Sequence, residues 1–363
     1  MKPLKYLFIS SMLFVATSCG NSWLDLEPST SVDTETSIKI LSDVEFTLNG
    51  IYSTMQSSDA YSGRLVYYGD VTGDDMQAVS STKRVANYYR FNFTKDDNPS
   101  SHWSYLYSII QNCNLILMNI DKLVIDEDDK AYRDDLKGEA LAIRGLALFD
   151  LTRIFGYPYL KDNGASLGVT FIEGLSTIDS KPTRNTVAQC YTKIIDDLTQ
   201  SLSLLGEKFN KGKINKWGAM VLLSRVYLYK GENANALKMA SDAIIGAEKN
   251  KYALWTNEDY PTAWGEDASA SKPGEVLFEI VNLTTDSPGK ESMGYLNSYD
   301  GYDDMCITCS FYQFLKEDPK DIRLKLLSFD KKYYAYVNKY QPQREDSVDP
   351  SFRGLSECSR SRC

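Results

Sequence analysis

Two stretches in the middle of the chain carry apolar residues at the same steps. From Asp134 to Phe155 they fall at Leu136, Ala140, Ile143, Ala147, Leu151 and Ile154; from Asn185 to Leu205 they fall at Val187, Tyr191, Ile194, Leu198, Leu202 and Leu205. Steps of 4, 3, 4, 4 and 3 keep each set on one side of an α-helix, and such a stripe must be buried against another element. Pro158 and Gly206 follow as stop signals. Two more helices, Asn215 to Lys230 and Ala234 to Ala247, are joined by Gly231 and carry small residues at Ala219, Ser224, Ala236, Ala240 and Ala243. Leu223, Ser224, Tyr227, Gly231, Ala236 and Ala243 fit tetratricopeptide spacing, in which small residues let paired helices approach closely. A further helix spans Ser101 to Ile120, with Tyr105, Ile109, Cys113, Ile116 and Ile120 on one side.

Segments 57 to 100 and 251 to 310 have a different character, being rich in Tyr, Trp, Gly, Asp, Asn and Ser. Glu275 to Val281 is the one strand-like run in them. The expected fold is therefore all-α, with tetratricopeptide-like helix pairs, long irregular ligand-binding loops and little sheet. Long loops on a compact frame usually carry function.

The first residues read as an export signal. Lys2 and Lys5 precede an apolar stretch from Tyr6 to Ala16 that suits a secretory segment but is too short to span a bilayer. Ala16, Thr17 and Ser18 then place small residues before Cys19, the arrangement in which a thiol is lipidated and becomes the new N-terminus. Removing the two lysines with the signal takes the formal net charge from -9 to -11. An acidic chain without a basic stripe is not built to bind nucleic acid.

Metal and histidine chemistry find little support. Asp126 to Asp129 lacks the spaced ligands and turn glycine of a calcium loop and reads as a solvated acid run. Cys113 and Cys190 lie in helical patterns as buried thiols, and Cys306-x-x-Cys309 has no second pair or histidine cluster beside it. His102 is the only histidine, so a histidine triad or a multi-histidine zinc site has no residues to use. No catalytic residue, metal site or cofactor is expected.

At this point the residues resemble a family. Trp23-Leu24-Asp25 with Pro28, Leu48-Asn49-Gly50-Ile51-Tyr52, Trp103 through Tyr107, Ile110 and Asn114 come in the order of SusD-like (RagB/SusD) nutrient-binding lipoproteins. Glu139-Ala140, Arg144-Gly145-Leu146-Ala147, Phe149-Asp150, Arg153 to Pro158, Arg184-Asn185-Thr186-Val187, Ile195-Asp196-Asp197-Leu198, Asp318-Pro319 and Asp321-Ile322-Arg323 continue it to about residue 342. The resemblance implies a non-catalytic protein lipid-anchored at Cys19 to the outer membrane and displayed on the cell surface. It further implies the binding of a glycan or other oligomeric nutrient and a partnership with a SusC-like TonB-dependent transporter. It divides the chain into a signal peptide (1–18), a SusD-like N-terminal region (19–220), the remaining repeats and binding loops (221–350) and an aberrant tail (351–363). Residues 353 to 363 hold three Arg, three Ser and two Cys with one leucine, which cannot make a buried helical face, so a truncation or frame error is expected there.

Sugar rings are wet at their edges and apolar on their C–H faces, so a glycan site needs flat aromatics flanked by polar groups. Arg84, Asn87, Tyr88, Tyr89 and Arg90 form one such cluster, and Trp264, Tyr295, Asn297, Tyr299, Asp300 and Tyr302 form another. In the resembled family the two loop regions face each other. A peptide-binding helical-repeat adaptor is an alternative, and so is a surface glycoside hydrolase using Asp74 and Asp300. Cys19→Ser is expected to move the protein out of the membrane fraction with its fold intact, as read by detergent partition. Equal membrane retention of the variant would show that Cys19 is not the anchor.

Overall fold

In a computed structural model the chain is described over residues 37–94, 99–176, 179–210, 212–264, 274–282, 289–330 and 334–339. Cys19, the Trp23 to Pro28 stretch and the tail from 351 lie outside the described residues. The helices are α1 (Leu41–Met55), α2 (Arg64–Val71), α3 (Ala86–Tyr89), α4 (Ser100–Asn119), α5 (Lys130–Phe155), α6 (Val187–Leu204), α7 (Lys216–Lys230), α8 (Asn233–Lys249), α9 (Tyr260–Ala263), α10 (Met293–Asn297) and α11 (Cys309–Lys316). Two short antiparallel sheets pair β1 (Met76–Ala78) with β2 (Met305–Ile307), and β3 (Leu327–Phe329) with β4 (Ala335–Val337). The fold is all-α with little sheet, as the periodicity predicts; α4 to α8 begin and end within about four residues of their expected bounds, while α1 was not anticipated as a helix. The acid run is exposed, as read, and forms a turn, Glu127–Asp129, leading into α5, where negative charge suits a helix N-terminus.

The two stripes meet. Leu136, Ala140, Ile143, Ala147 and Leu151 of α5 are buried together with Val187, Tyr191, Ile194 and Leu198 of α6 in one core that also takes in α1, α4 and α7. Gly145 sets the approach of α5 and α6, since a Cβ there would lie 3.0 Å from Leu198 Cγ. The single-stripe reading of α5 is too narrow. Packed against α4, α6 and α7, this helix also buries Glu139, Arg144, Asp150 and Thr152.

Buried polar groups need partners, and each of these has one. Arg144 donates from Nε and Nη2 to the two carboxylate oxygens of Asp197 at 2.8 and 2.7 Å, and from Nη1 to Asn114 Oδ1 at 2.8 Å. Asn114 in turn donates to the carbonyls of Ile172 and Gly174, both at 2.8 Å. Tyr61 donates to Asp150 at 2.7 Å, and Arg153 pairs with the same carboxylate. Tyr52 donates to Glu139 at 2.7 Å while its hydroxyl accepts the N–H of Ile214 at 3.0 Å. Arg184 holds the chain between α5 and α6 by donating to the carbonyls of Gly168 and Leu167 at 2.6 and 3.1 Å. Thr186 then caps α6, with Gln189 closing the reciprocal bond.

The helix pair α7–α8 turns at Gly231, whose φ of +84° lies in the left-handed region that favours glycine. Ala236 and Ala243 are buried against α7, and Ser224 donates to the carbonyl of Ala236 at 2.8 Å. Leu237, Ile244 and Ile245 occupy the outer side of α8 and are exposed. Glu275 to Val281 is not a strand. Among the described residues its carbonyls take side-chain donors instead, Leu277 from Asn215 at 2.6 Å and Val281 from Gln56, while Phe278 and Ile280 pack on the helical core.

Two expectations follow for stability. Ala236→Leu should overpack the α7–α8 contact and cost on the order of 1 to 3 kcal/mol by thermal denaturation; an unchanged melting temperature would show a looser pair than this one. Burial lifts the Glu139 carboxyl from its ordinary 4.5 to about 7, with Lys213 and the Tyr52 bond opposing the rise. The native state therefore holds more protons than the unfolded chain between about pH 4.5 and 7, and stability falls as pH rises through that window. Glu139→Gln keeps an acceptor for Tyr52 and should remove up to about 3 kcal/mol of that loss. Urea midpoints of the two proteins should diverge in the variant's favour from pH 5 to 8, and parallel curves would contradict the shift.

Candidate functional site

The three-residue pairing of β1 with β2, in register Met76↔Ile307 and Ala78↔Met305, joins segments more than 200 residues apart. Thr308 extends it, donating its N–H to Asp75 O at 2.9 Å and its hydroxyl to Asp74 O at 2.8 Å. Around the pairing lies a second core of Tyr67, Val71, Met76, Val85, Leu296, Met305, Ile307, Tyr312, Leu315, Leu327 and Ala335, separate from the helical one. Apart from Trp264, the segments that carry both loop clusters are thus fixed to one packed unit.

Arg84 is the clearest bridge between them. Its guanidinium lies 3.9 Å from the centroid of the Tyr302 ring, and its Nη1 is 3.4 Å from Glu291 and 3.9 Å from Asp304. Lys83 beside it donates to the Tyr302 carbonyl at 2.6 Å and lies 3.4 Å from Asp303. Arg64 completes the chain of charges, 2.6 Å from Asp59 and 3.7 Å from Glu291. Burial raises the carboxyl of Asp304, and Arg84 and Lys83 work against that rise. Tyr295 meets Tyr302 edge-on at 5.2 Å.

A run of aromatic rings stands beside this network. Tyr68 meets Tyr88 edge-on at 5.3 Å, Tyr88 lies 5.8 Å from Phe93, and Phe93 lies 6.2 Å from Phe91. Phe91 has φ of +53°, a conformation that costs a bulky L-residue about 1 to 3 kcal/mol and persists only where its surroundings enforce it. Here the turn is held by Phe91 N–H to Tyr88 O at 3.0 Å, Asn92 N–H to Asn87 O at 2.8 Å, and Arg90 donating to the carbonyls of Ala86 and Ser81. The result is outward display, with Phe91 64% exposed, Phe93 40% and Tyr89 38%. His102 meets Tyr68 edge-on at 5.6 Å and is itself buried, so that desolvation draws its pKa down to about 4 and the ring is neutral at pH 7.

The structure thus brings Arg84, Tyr88 and Tyr89 to the same unit as Tyr295 and Tyr302. Asn87 is half-buried, and its backbone carbonyl serves the Phe91 turn. Asn297 closes α10, with its Oδ1 buried and without a partner among the described residues. Tyr299 leans on buried Tyr336 at 5.8 Å, and Asp300 is exposed in the turn after it. Trp264 stands apart, clustered with Trp255 and Tyr260 at 4.8 and 5.6 Å, with the Lys339 ammonium 3.6 Å from its ring centroid. Sequence reasoning missed Tyr68, Phe91, Phe93 and Glu291. The Phe-Asn-Phe alternation at 91–93 was the available signal. Among the described residues no group of three His, Cys, Asp or Glu is placed to hold a metal. Cys306 is buried in β2, where desolvation raises its thiol to about 11.

A frame of paired helices thus carries a loop-built aromatic unit at its side. The chain belongs to the SusD-like family: residues 22–228 match the family model described as "Starch-binding associating with outer membrane". A solved protein of Bacteroides vulgatus ATCC 8482, for which sugar binding is the suggested role, is 81% identical and superposes with a TM-score of 0.83 over 86% of this chain and 70% of its own. A SusD superfamily protein of the same strain is 35% identical, with a TM-score of 0.80 over 86% of this chain and 71% of its own. SusD-like protein P2 of Formosa agariphila is 26% identical over 311 residues, 83% of this chain but 57% of that relative. The chain spans about half the length of the curated relatives it matches.

Proposed function

We propose that this protein is a surface-exposed nutrient-binding subunit, lipid-anchored at Cys19, that captures an oligosaccharide and passes it to a SusC-like TonB-dependent transporter without altering it. The observation that carries the reading is the strained, braced turn that presents Phe91, with Phe93 and Tyr89 beside it, on a unit locked to the helical frame by the β1–β2 pairing. Exposed flat rings on the same loop-built unit as the polar groups of Arg84 and Glu291 match a sugar, which has an apolar face and hydroxyl edges. The family's description as starch-binding and outer-membrane-associated supports both the ligand class and the location. Tethering at the membrane raises the local concentration of captured ligand near a pore, and a surface protein has no route of its own across that membrane. The two loop clusters given by Arg84, Asn87, Tyr88, Tyr89 and by Trp264, Tyr295, Asn297, Tyr299, Asp300, Tyr302 are the proposed site, extended to Tyr68, Phe91 and Phe93.

Calorimetric titration of the purified protein with malto-, β-gluco- and galacto-oligosaccharides and a peptide panel tests this. At least one oligosaccharide should bind and be recovered uncleaved. Phe91→Gly, which suits the left-handed turn, and Phe93→Ala should each weaken binding about two- to tenfold, the worth of one aromatic contact of roughly 0.5 to 1.5 kcal/mol. Binding confined to peptides, or indifferent to both substitutions, would refute the reading.

A further inference from the structure

We infer that this loop-built face selects uncharged oligosaccharides and turns away those carrying uronate or sulfate groups; the inference rests on the glycan reading above. Recognition of an anionic sugar needs a cation free to form charge-assisted bonds, commonly a bidentate arginine. Four of the five cations over residues 59–91 and 289–304 are already engaged. Arg64 pairs with Asp59 at 2.6 Å and reaches Glu291 at 3.7 Å, while Lys83 lies 3.4 Å from Asp303. Arg84 sits over the Tyr302 ring, 3.9 Å from its centroid, with Glu291 and Asp304 beside it. Arg90 directs Nε and Nη2 at the carbonyls that hold the Phe91 turn.

Charge count points the same way. Over residues 59–91 and 289–304, Arg64, Lys83, Arg84, Arg90 and Lys290 stand against Asp59, Asp70, Asp74, Asp75, Glu291, Asp300, Asp303 and Asp304, five cations to eight carboxylates, in a chain whose formal net charge is -9. Asp304 sharpens the discrimination, being 2% exposed and dependent on Arg84 and Lys83 for its counter-charge. An anionic ligand that drew Arg84 away would take the first of the counter-charges from that buried carboxylate, which is how a site rejects a wrong partner without a clash. A neutral sugar disturbs none of this. It stacks on the exposed rings and offers its hydroxyls to Glu291 and Asp300, which are acceptors only.

The test pairs each neutral oligosaccharide that binds with its C6-oxidised counterpart, in which the primary hydroxyl has become a carboxylate. At 20 mM NaCl the oxidised form should bind at least about tenfold more weakly, and the gap should narrow at 500 mM NaCl as the charges are screened. Glu291→Gln and Asp300→Asn, each checked for an unchanged melting temperature, should narrow it at low salt. Equal or tighter binding of the oxidised form, or a gap indifferent to salt and to both substitutions, would overturn the inference while leaving the glycan reading in place. If no oligosaccharide binds, neutral or charged, the glycan reading fails and the inference falls with it.

Discussion

The pairing of Arg144 with Asp197 is the constraint on which the helical frame depends. A guanidinium and a carboxylate with side-chain exposures of 7% and 0% are stable only if nearly every donor and acceptor is met, and here both oxygens of Asp197 and three nitrogens of Arg144 are met. Because the two residues lie on α5 and α6, and Asn114 lies on α4, the network sets the relative rotation of three helices. Apolar stripes alone would tolerate a slip by one turn. Loss of either ion would strand the other in the core at a cost of about 3 to 5 kcal/mol, although Lys193, 3.1 Å from Asp197, would soften the loss of Arg144. Asn114 carries the constraint outward by holding the carbonyls of Ile172 and Gly174, so the segment between α5 and α6 is tied to the same point.

The aromatic unit is built on a different principle. Its elements are too short to be stable alone; β1 and β2 have three residues each, and α3 has four. They persist because distant parts of the chain bury one small core together, and because the ion pairs of Arg84, Lys83 and Arg64 join the two loop regions across its edge. Those pairs are partly exposed, so singly each is worth little. Their consequence is geometric and electrostatic: they orient Tyr302 and Arg84, and they leave the face without net positive charge.

Much of this was legible in the residues and some was not. The helices α4 to α6 were readable because each repeats an apolar stripe over four or more turns, and α7 and α8 because their small residues and Gly231 carry the steric reasons for their pairing. The family motifs were readable as an ordered series, but their roles were not. Glu139, Arg144 and Asp150 look like surface charges on a one-sided helix, and only the packing of α5 on several sides turns them into buried partners of Tyr52, Asp197 and Tyr61. Glu275 to Val281 reads as a strand by alternation, yet Asn215 and Gln56 supply donors that a neighbouring strand would otherwise have provided.

Local sequence determines local structure where the interactions are local. The apolar periods, the Thr186 cap and the Gly231 turn each lie within a few residues of the element they define, and the aromatic and polar content of the two loop regions sets them apart from the helical frame. Tertiary structure alone decided which aromatics share a face. The β1–β2 pairing and the seat of Arg84 on Tyr302 depend on contacts between residues more than 200 positions apart, which no short stretch of sequence encodes, whereas the strained turn at Phe91 is braced from within residues 81–92. For the same reason Trp264, a strong candidate by residue type, was placed with Trp255, Tyr260 and Lys339, while Phe91 and Phe93 were placed beside Tyr88.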